Sequence, residues 1–326
     1  MILEVTVLIP VLYVVIPCYN EEEVLRENNK RLNIKIENMI KAGIISEKSR
    51  IMYVDDGSRD KTWNIICELY ENNKYSLGLR LSKNRGHQNA LLAGLFESAK
   101  YSDIVISMDA DLQDDIEVMD EFVKEYNLGS DIVYGVRNSR KKDTAFKRGT
   151  ALMFYRLMKT LGVDMVYNHA DYRLMSKRAI ETLESYKEVN LFLRGIVPLI
   201  GFKTSQVEYE RGERFAGESK YPLNKMIQFA IEGITSFSVR PIRIITVSGI
   251  IISLVSLIMI IYSVIGHFLG YTITGWTTLV VALYFLGGFQ IFSIGIVGEY
   301  IGKIYLEVKQ RPRYTIAERK TDKGDI

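Results

Sequence analysis

The sequence predicts an α/β fold built on a mostly parallel sheet, continued toward its end by helices of a more apolar kind. From Leu12 to Gly135, short apolar runs rich in β-branched residues alternate with longer amphipathic segments, as parallel strands covered by helices do. Three of these runs end in acidic or polar clusters, Pro-x-x-Asn-Glu, Asp-Asp-Gly-Ser and Asp-Ala-Asp. In open α/β sheets ligands sit beyond the carboxyl ends of the strands, so the clusters are expected to meet in one crevice. Finally, the 55 residues from Ile244 to Gly298 contain no Asp, Glu, Lys or Arg.

Leu12–Ile16 reads as the first strand, closed by Pro17. Asn20 is placed to cap the helix that follows to about Ala42, with Glu21 to Glu23 in its first turn and Gly43 at its end. Ile51–Val54 is the second strand, ending in Asp55-Asp56-Gly57-Ser58, and a helix runs from about Lys61 to Asn73. Leu77–Leu81 is the third strand; Asn84-Arg85-Gly86-His87 opens a helix to about Ala99. The run Ile104-Val105-Ile106 is the central strand and stops in Asp109-Ala110-Asp111. Small Ala110 lets the backbone turn and bring both carboxylates toward one point, where they repel unless a proton or cation lies between them. Hard divalent cations take such oxygen donors and leave positions open for phosphate. The plainer alternative is a solvated acidic strand end ahead of the helix over about Ile116 to Tyr126. Ile132–Gly135 is the fifth strand.

Arg137 to Arg148 carries six cations against one acid, which fits a phosphate clamp, an anionic membrane surface or a plain solvated loop. Phe146 to Leu161 reads as helical, Asp164 to Leu174 contains His169-Ala170-Asp171-Tyr172-Arg173, and another helix lies near Lys177 to Tyr186. Val207 to Lys220, with Gly212 and Gly217, reads as a loop.

The charge-free stretch holds two membrane spans of about 20 residues each, placed at about Ile244 to Ile265 and Thr277 to Gly298. Arg240 and Arg243 flank it on one side and Lys303, Lys309, Arg311 and Arg313 on the other, whereas the turn from His267 to Trp276 has no lysine or arginine. The positive-inside rule puts both flanks and the sheet domain in the cytoplasm, and Trp276 at the interface near the turn. Tyr221 to Val239 has the spacing of an amphipathic interfacial helix. The resulting division is a catalytic domain over 1–220, a juxtamembrane helix region over 221–243, two spans within 244–298 and a basic cytoplasmic tail over 299–326.

Several classes are disfavoured. No Gly-x-Gly-x-x-Gly follows the first strand and no Gly-Lys-Ser/Thr loop occurs, against a dinucleotide enzyme or a P-loop NTPase. Cys18 and Cys67 are the only cysteines and lack metal spacing. The apolar start carries Glu4 and no basic lead, so it reads as a strand with an extra segment, not as a signal peptide. His87, His169 and His267 form no ligand set and read as structural.

Pro-Cys-Tyr-Asn-Glu-Glu, Val-Asp-Asp-Gly-Ser-Arg-Asp, Ser-Lys-Asn-Arg-Gly-His-Gln-Asn-Ala, Asp-Ala-Asp-Leu-Gln-Asp, Asp-Tyr-Arg-Leu-Met and Arg-x-x-Arg-Phe-Ala-Gly-Glu-Ser-Lys follow one another in this chain. Their order resembles that of family 2 glycosyltransferases acting on polyprenyl phosphate, among them dolichol-phosphate mannose synthases and bactoprenol glucosyltransferases. The two spans followed by Gly-Glu-Tyr-Ile-Gly-Lys-Ile-Tyr are similar to the bacterial branch. The resemblance covers Leu12 to Tyr314 and implies the A-type glycosyltransferase fold, two abutting Rossmann-like halves. It implies that Pro17, Tyr19, Asn20, Glu21, Asp55 and Asp56 line the nucleotide-sugar pocket, together with Asp109 and Arg211. It also implies that Asp109, Asp111 and Gln113 hold Mg²⁺ or Mn²⁺. Asp171, Asp111 and Arg211 become the catalytic candidates, and Arg137, Arg148, Arg214, Ser219 and Lys220 lie near the acceptor phosphate.

The implied reaction carries a hexose, with inversion, from a nucleotide-sugar such as UDP-glucose to polyprenyl phosphate at the inner membrane. The implied partners are donor, acceptor lipid and membrane, with a homotetramer as the related assembly and no nucleic acid. A second phosphate pKa of about 6 leaves the acceptor largely anionic, so Asp171 is as well suited to orienting as to acting as a base. Two alternatives remain in view. A polysaccharide-extending transferase is disfavoured by having only two spans and no Gln-x-x-Arg-Trp. A non-catalytic nucleotide-sugar-binding partner of a flippase is disfavoured by the intact acidic motif.

Overall fold

A computed structural model describes residues 9–137, 169–188, 193–210, 212, 240–269 and 275–321. These fall into two compact units, one containing the sheet, its helices and the chain from Arg311 onward, the other the two long C-terminal helices.

The first unit is organised on eight strands: β1 (Leu12–Cys18), β2 (Arg50–Asp55), β3 (Ser76–Leu81), β4 (Ile104–Ser107), β5 (Ile132–Arg137), β6 (His169–Ser176), β7 (Thr204–Tyr209) and β8 (Ile316–Lys320). Their order across the sheet is β7-β5-β6-β4-β1-β2-β3-β8. The β1–β2, β1–β4, β2–β3 and β5–β7 pairs are parallel. Strand β6 runs antiparallel to both β4 and β5, and β8 antiparallel to β3. Every residue of β1 and β4 is buried, as the continuous apolar runs require of strands covered on both faces.

The covering helices are α1 (Leu25–Lys41), α2 (Thr62–Asn72), α3 (His87–Ser98), α4 (Met119–Asn127), α5 (Lys177–Ser185) and the short α6 (Leu193–Leu199). Helix α3 lies so close to the sheet that a Cβ on Gly94 would come within 2.4 Å of Val15 Cγ1 and 2.7 Å of Val54 Cγ2. Only glycine permits this approach, which sets how closely the body of α3 packs on β1 and β2.

Several expectations require correction. Helix α1 begins at Leu25, so Asn20 does not cap it and Glu21 to Glu23 precede its first turn. Asn20 has φ +54° and spends its polar groups on the loop after β2: its N–H donates to Ser58 Oγ and its Oδ1 accepts from Arg59 N. The segment over Ile116 to Tyr126 starts as a 3₁₀ turn, Ile116–Val118, before α4. Val207 to Tyr209 belongs to β7 and is not loop, and His169–Ser176 is a full strand. The basic tail is not all tail: Ile316–Lys320 pairs along β3 and closes that sheet edge.

The second unit holds α7 (Arg240–Phe268) and α8 (Trp276–Lys309). Among the described residues one stretch, Phe285–Lys309, is long and apolar enough to cross a membrane by length and composition, and Ile242–Ile252 is a shorter apolar stretch. The expected second span ended at Gly298, eleven residues short of this stretch's end. Its apolar side chains are exposed, Ile291 at 74% and Val308 at 74%. The helices expected over Phe146 to Leu161 and Tyr221 to Val239 lie outside the described residues.

Candidate active site

The topology brings the acidic tips to one edge. Parallel strands β1, β2 and β4 all end there. Because β6 is antiparallel to β4, its start arrives at the same edge, and Ser107 Oγ donates to Asp171 O at 2.7 Å. Strands β5 and β7 also finish there, delivering Arg137 and Tyr209.

At the β2 tip, Asp55 is fully buried. Its Oδ1 accepts from Ser58 N at 3.0 Å and its Oδ2 lies 3.4 Å from Arg80 Nε. Asp56, 2% exposed, accepts from Arg85 N at 2.7 Å through one oxygen and from Gly86 N at 2.9 Å through the other. Burial pushes both carboxyls up, and their backbone hydrogen bonds pull them partly back. Gly57 (φ +65°) makes this junction possible, since a Cβ there would lie 2.7 Å from Asn84 N. Both aspartates are thus engaged within the protein, bracing the turn that leads into α3. Of the remaining residues assigned to the nucleotide pocket, Pro17 is buried within β1 beside Val54, Tyr19 is 37% exposed, and Glu21 N donates to Thr62 Oγ1 at 2.9 Å.

The turn braced by Asp56 delivers His87, the first residue of α3. Its Nε2 lies 3.6 Å from Asp109 Oδ1 and 4.0 Å from Asp171 Oδ2. His87, read from the sequence as structural, stands between the tips of β4 and β6. Asp171 in turn accepts from Arg173 Nη2 at 2.7 Å and from Arg194 Nη2 at 3.2 Å. Burial alone would raise the Asp171 carboxyl, but Arg194 and Arg173, with His87, outweigh it and hold the group well below the usual carboxylate range. Asp109 shows the opposite balance. Burial, with the nearby Asp114, Asp171 and Asp111 charges, pushes it up to about 6 against the pull of His87.

Beyond Asp109 the chain makes a tight turn in which Leu112 has φ +59°, a strained conformation for a side chain branched beyond Cβ. The end of β7 braces this turn. Tyr209 Oη donates to Asp114 Oδ1 at 2.5 Å, Gly212 N donates to Gln113 O at 2.9 Å, and Gln113 Nε2 reaches Gly212 O at 3.5 Å. Asp111 Oδ1 accepts from Gln113 N at 3.2 Å. Arg137 joins the brace, donating to Tyr209 Oη at 3.2 Å with its Nη2 3.6 Å from Asp114, so this expected phosphate ligand is held by protein groups.

Among the described residues, no three His, Cys, Asp or Glu side chains form a metal cage. One or two carboxylates completed by substrate phosphates suit Mg²⁺ or Mn²⁺, and Asp109 with Asp111 fit that donor set. Besides burial, the neighbouring Asp114, Asp171 and Asp111 charges oppose an ionised Asp109, and a divalent charge would offset that opposition.

Asp109, Asp111, Gln113 and Asp171 are thus brought to one edge. Arg148, Arg211, Arg214, Ser219 and Lys220 lie outside the described residues. Sequence reasoning missed His87, Arg194, Asp114 and Tyr209 as parts of this arrangement. A signal existed for Arg173, two residues from Asp171 and so on the same face of a strand. Nothing local marked Arg194, twenty-three residues away on a separate helix.

Residues 13–184 match the model of Glycosyl transferase family 2, and residues 240–304 match that of the GtrB C-terminal hairpin. An uncharacterized glycosyltransferase of Bacillus subtilis (strain 168), YkoT, is 55% identical over 94% of this chain and 91% of its own length. A bactoprenol glucosyl transferase of Shigella phage SfX is 38% identical over 94% of this chain and 98% of its own. A prophage bactoprenol glucosyl transferase homolog of Escherichia coli (strain K12) is 37% identical, with the same coverage.

Proposed function

The chain belongs to glycosyl transferase family 2, and from that premise we propose that it transfers a hexose from a nucleotide-sugar to polyprenyl phosphate, with UDP-glucose as donor and undecaprenyl phosphate as acceptor. The observation that carries this reading is that Asp109 and Asp171 both lie within 4.0 Å of His87 Nε2 at the carboxyl edge of the sheet. The catalytic domain over 1–220 is followed by a lipid-facing hairpin of α7 and α8, both flanks of which are basic. Strand β8, directly after α8, belongs to the sheet, which favours a hairpin that leaves and returns on the cytoplasmic side.

Asp109 and Asp111, with Gln113 beside them, would hold Mg²⁺ or Mn²⁺, which supplies Lewis-acid charge to a departing diphosphate. The residues of the chain do the rest. Asp171, kept ionised by two guanidinium groups, is a weak base and a strong organiser of Arg194 and His87. The acceptor phosphate, with a second pKa of about 6, is its own nucleophile near neutral pH and requires alignment more than deprotonation. Arg211, Arg214, Ser219 and Lys220 are assigned to the phosphates on the resemblance of their motif. In-line attack by that oxygen on the anomeric carbon breaks the bond to the diphosphate and inverts the configuration.

The test is incubation of detergent-extracted protein with undecaprenyl phosphate, Mn²⁺ and a panel of radiolabelled nucleotide-sugars. A mild-acid-labile glycolipid is expected, strongest with UDP-glucose. A polymeric product would point to polysaccharide extension, and nucleotide-sugar binding without any product to a non-catalytic partner.

A further inference from the structure

Helix α1 carries polar side chains among those it buries. Asn28 is fully buried and Asn29 and Lys35 nearly so, on the helix that also buries Leu25, Leu32, Ile36 and Met39. Leucine is a better helix former than asparagine and has no polar group to desolvate, so a buried amide is tolerable here only through its hydrogen bonds. Those bonds form one directed network. Asn33 Nδ2 donates to Asn29 Oδ1 at 2.8 Å, and Asn29 Nδ2 donates to Ser76 Oγ at 2.6 Å and to Tyr53 Oη at 3.1 Å. Tyr53 Oη donates to Asn28 Oδ1 at 3.3 Å, and Asn28 Nδ2 donates to Ala110 O at 3.2 Å. A carbonyl only accepts and a phenol has one proton to give, so the two ends of the Asn28 amide are not interchangeable. The carbonyl it reaches belongs to the residue between Asp109 and Asp111. Lys35, seven residues on and on the same helix face, holds the same segment further along. Its Nζ donates to Glu117 O at 3.1 Å, Glu117 Oε2 at 2.9 Å and Asp120 Oδ2 at 3.0 Å.

We infer that Asn28 is a positioning residue for the Asp109–Asp111 turn: it fixes the Ala110 carbonyl, and with it the directions in which the two flanking carboxylates leave the backbone. Tyr53 holds the amide in the orientation that points Nδ2 at Ala110, and burial pushes the Tyr53 phenol well up, so it keeps the proton that it donates. Helix α1 is the rigid part of the arrangement. It grips the segment at Ala110 and again at Glu117 and Asp120, from residues that a helix spaces about 10 Å apart. Groups that orient metal-binding side chains from outside the ligand set change metal affinity when they are removed. The role assigned to Asn28 rests on the cation reading of the acidic turn.

The experiment uses the full chain in detergent. Mn²⁺ binding is read with UDP present from the loss of the free-ion signal in electron paramagnetic resonance, and the thermal midpoint of each protein is recorded. Asn28→Leu keeps the volume and removes the donor. Ser76→Ala removes a bond at the far end of the network and leaves Asn28 in place. Asp111→Ala tests the cation reading itself. A purely structural role makes Mn²⁺ affinity and midpoint fall together wherever the network is cut. Positioning separates them: Asn28→Leu should weaken Mn²⁺ binding about tenfold, whereas Ser76→Ala should lower the midpoint and bind Mn²⁺ as wild type does. Tyr53→Phe frees the Asn28 amide from its hydroxyl anchor and should weaken Mn²⁺ binding a few-fold; it serves as the test protein if Asn28→Leu does not fold. Wild-type Mn²⁺ affinity in the folded test protein, or equal weakening in that protein and Ser76→Ala, overturns the role of Asn28 and leaves the cation reading standing. No Mn²⁺ binding by wild type, or equal binding by wild type and Asp111→Ala, overturns the cation reading and the role of Asn28 with it.

Discussion

The tips of β2 and β4 both carry two aspartates within three residues and use them in opposite ways. Asp55 and Asp56 are buried, and their oxygens face backbone N–H groups and Arg80. Asp109 stands partly open, 38% exposed at its side chain, crowded by other carboxylates and approached by one histidine. A carboxylate surrounded by donors belongs to the scaffold; a carboxylate crowded by other carboxylates is chemically suited to a proton or a cation. Substitutions at the two tips should therefore fail differently, one by losing chemistry and the other by losing stability.

The sharpest break is Asp111→Ala. If Asp111 donates to a cation as proposed, its removal should lower transfer by a factor on the order of 10²–10³ at fixed Mn²⁺ while leaving the thermal midpoint close to wild type. Wild-type turnover in that variant would place the acidic turn of β4 among the scaffold, like its counterpart on β2. Next comes Asp171→Asn, expected to cost about tenfold to a hundredfold in kcat. Because Arg194 and Arg173 hold Asp171 below the ordinary carboxylate range, the pH–rate profile should keep its shape as it drops. Loss of an acidic limb in the variant would return the role of base to Asp171.

Asp56→Asn should fail the other way. An amide offers one acceptor oxygen where the carboxylate offers two, so Asn would set an NH₂ donor against Arg85 N or Gly86 N, although Gly86 N keeps a second acceptor in Asn84 Oδ1 at 3.2 Å. The expected loss is about 1–3 kcal/mol of stability, read by denaturant titration, with a secondary fall in transfer because the same turn delivers His87. Tyr209→Phe is smaller still. It removes the hydroxyl donated to Asp114 while keeping the ring, which packs edge-on against Tyr172 at 5.3 Å. About 1 kcal/mol and a few-fold rise in the Mn²⁺ requirement are expected, since the turn of Asp111 to Gln113 loses one brace.

The parts of the molecule that local chemistry determines could be read in the sequence. Strands β1 and β4 are buried throughout and β2 from Ile51 onward, and their short, β-branched apolar runs bounded by turn and acidic residues are of strand length. The Asp-x-Asp pair stood out because carboxylates at a strand end need an explanation. What stayed hidden depends on pairing across long separations. Strand β6 enters between β4 and β5 with a polar start, and its strand character comes from Met175, Leu174 and Arg173 finding partners on both sides. His87 looked incidental because its position is set by Asp56, thirty-one residues earlier. Asn20 looked like a helix cap because Asn before acidic residues usually is one; here a left-handed backbone turns it toward Ser58 and Arg59.

The scaffold at the β2 tip reaches beyond its own strand, to β8. Arg80 lies between Asp55 and the C-terminal strand, with Nε 3.4 Å from Asp55 and Nη1 3.1 Å from Glu318, and its guanidinium stands over the Trp63 ring at 5.5 Å. Arg80 is 35% exposed and Glu318 46%, so water screens their attraction and the pair is worth less than about 1 kcal/mol. Glu318→Gln should therefore shift the unfolding midpoint only slightly and leave transfer unchanged, because β8 is held mainly by its ladder with β3 and Arg80 keeps Asp55 as a partner. Arg80→Gln should cost more, since it leaves the fully buried Asp55 without its cation. If Glu318→Gln instead matched Arg80→Gln in stability, the β8 contact would be supporting the buried carboxylate, and the scaffold of the β2 tip would begin in the chain's last strand.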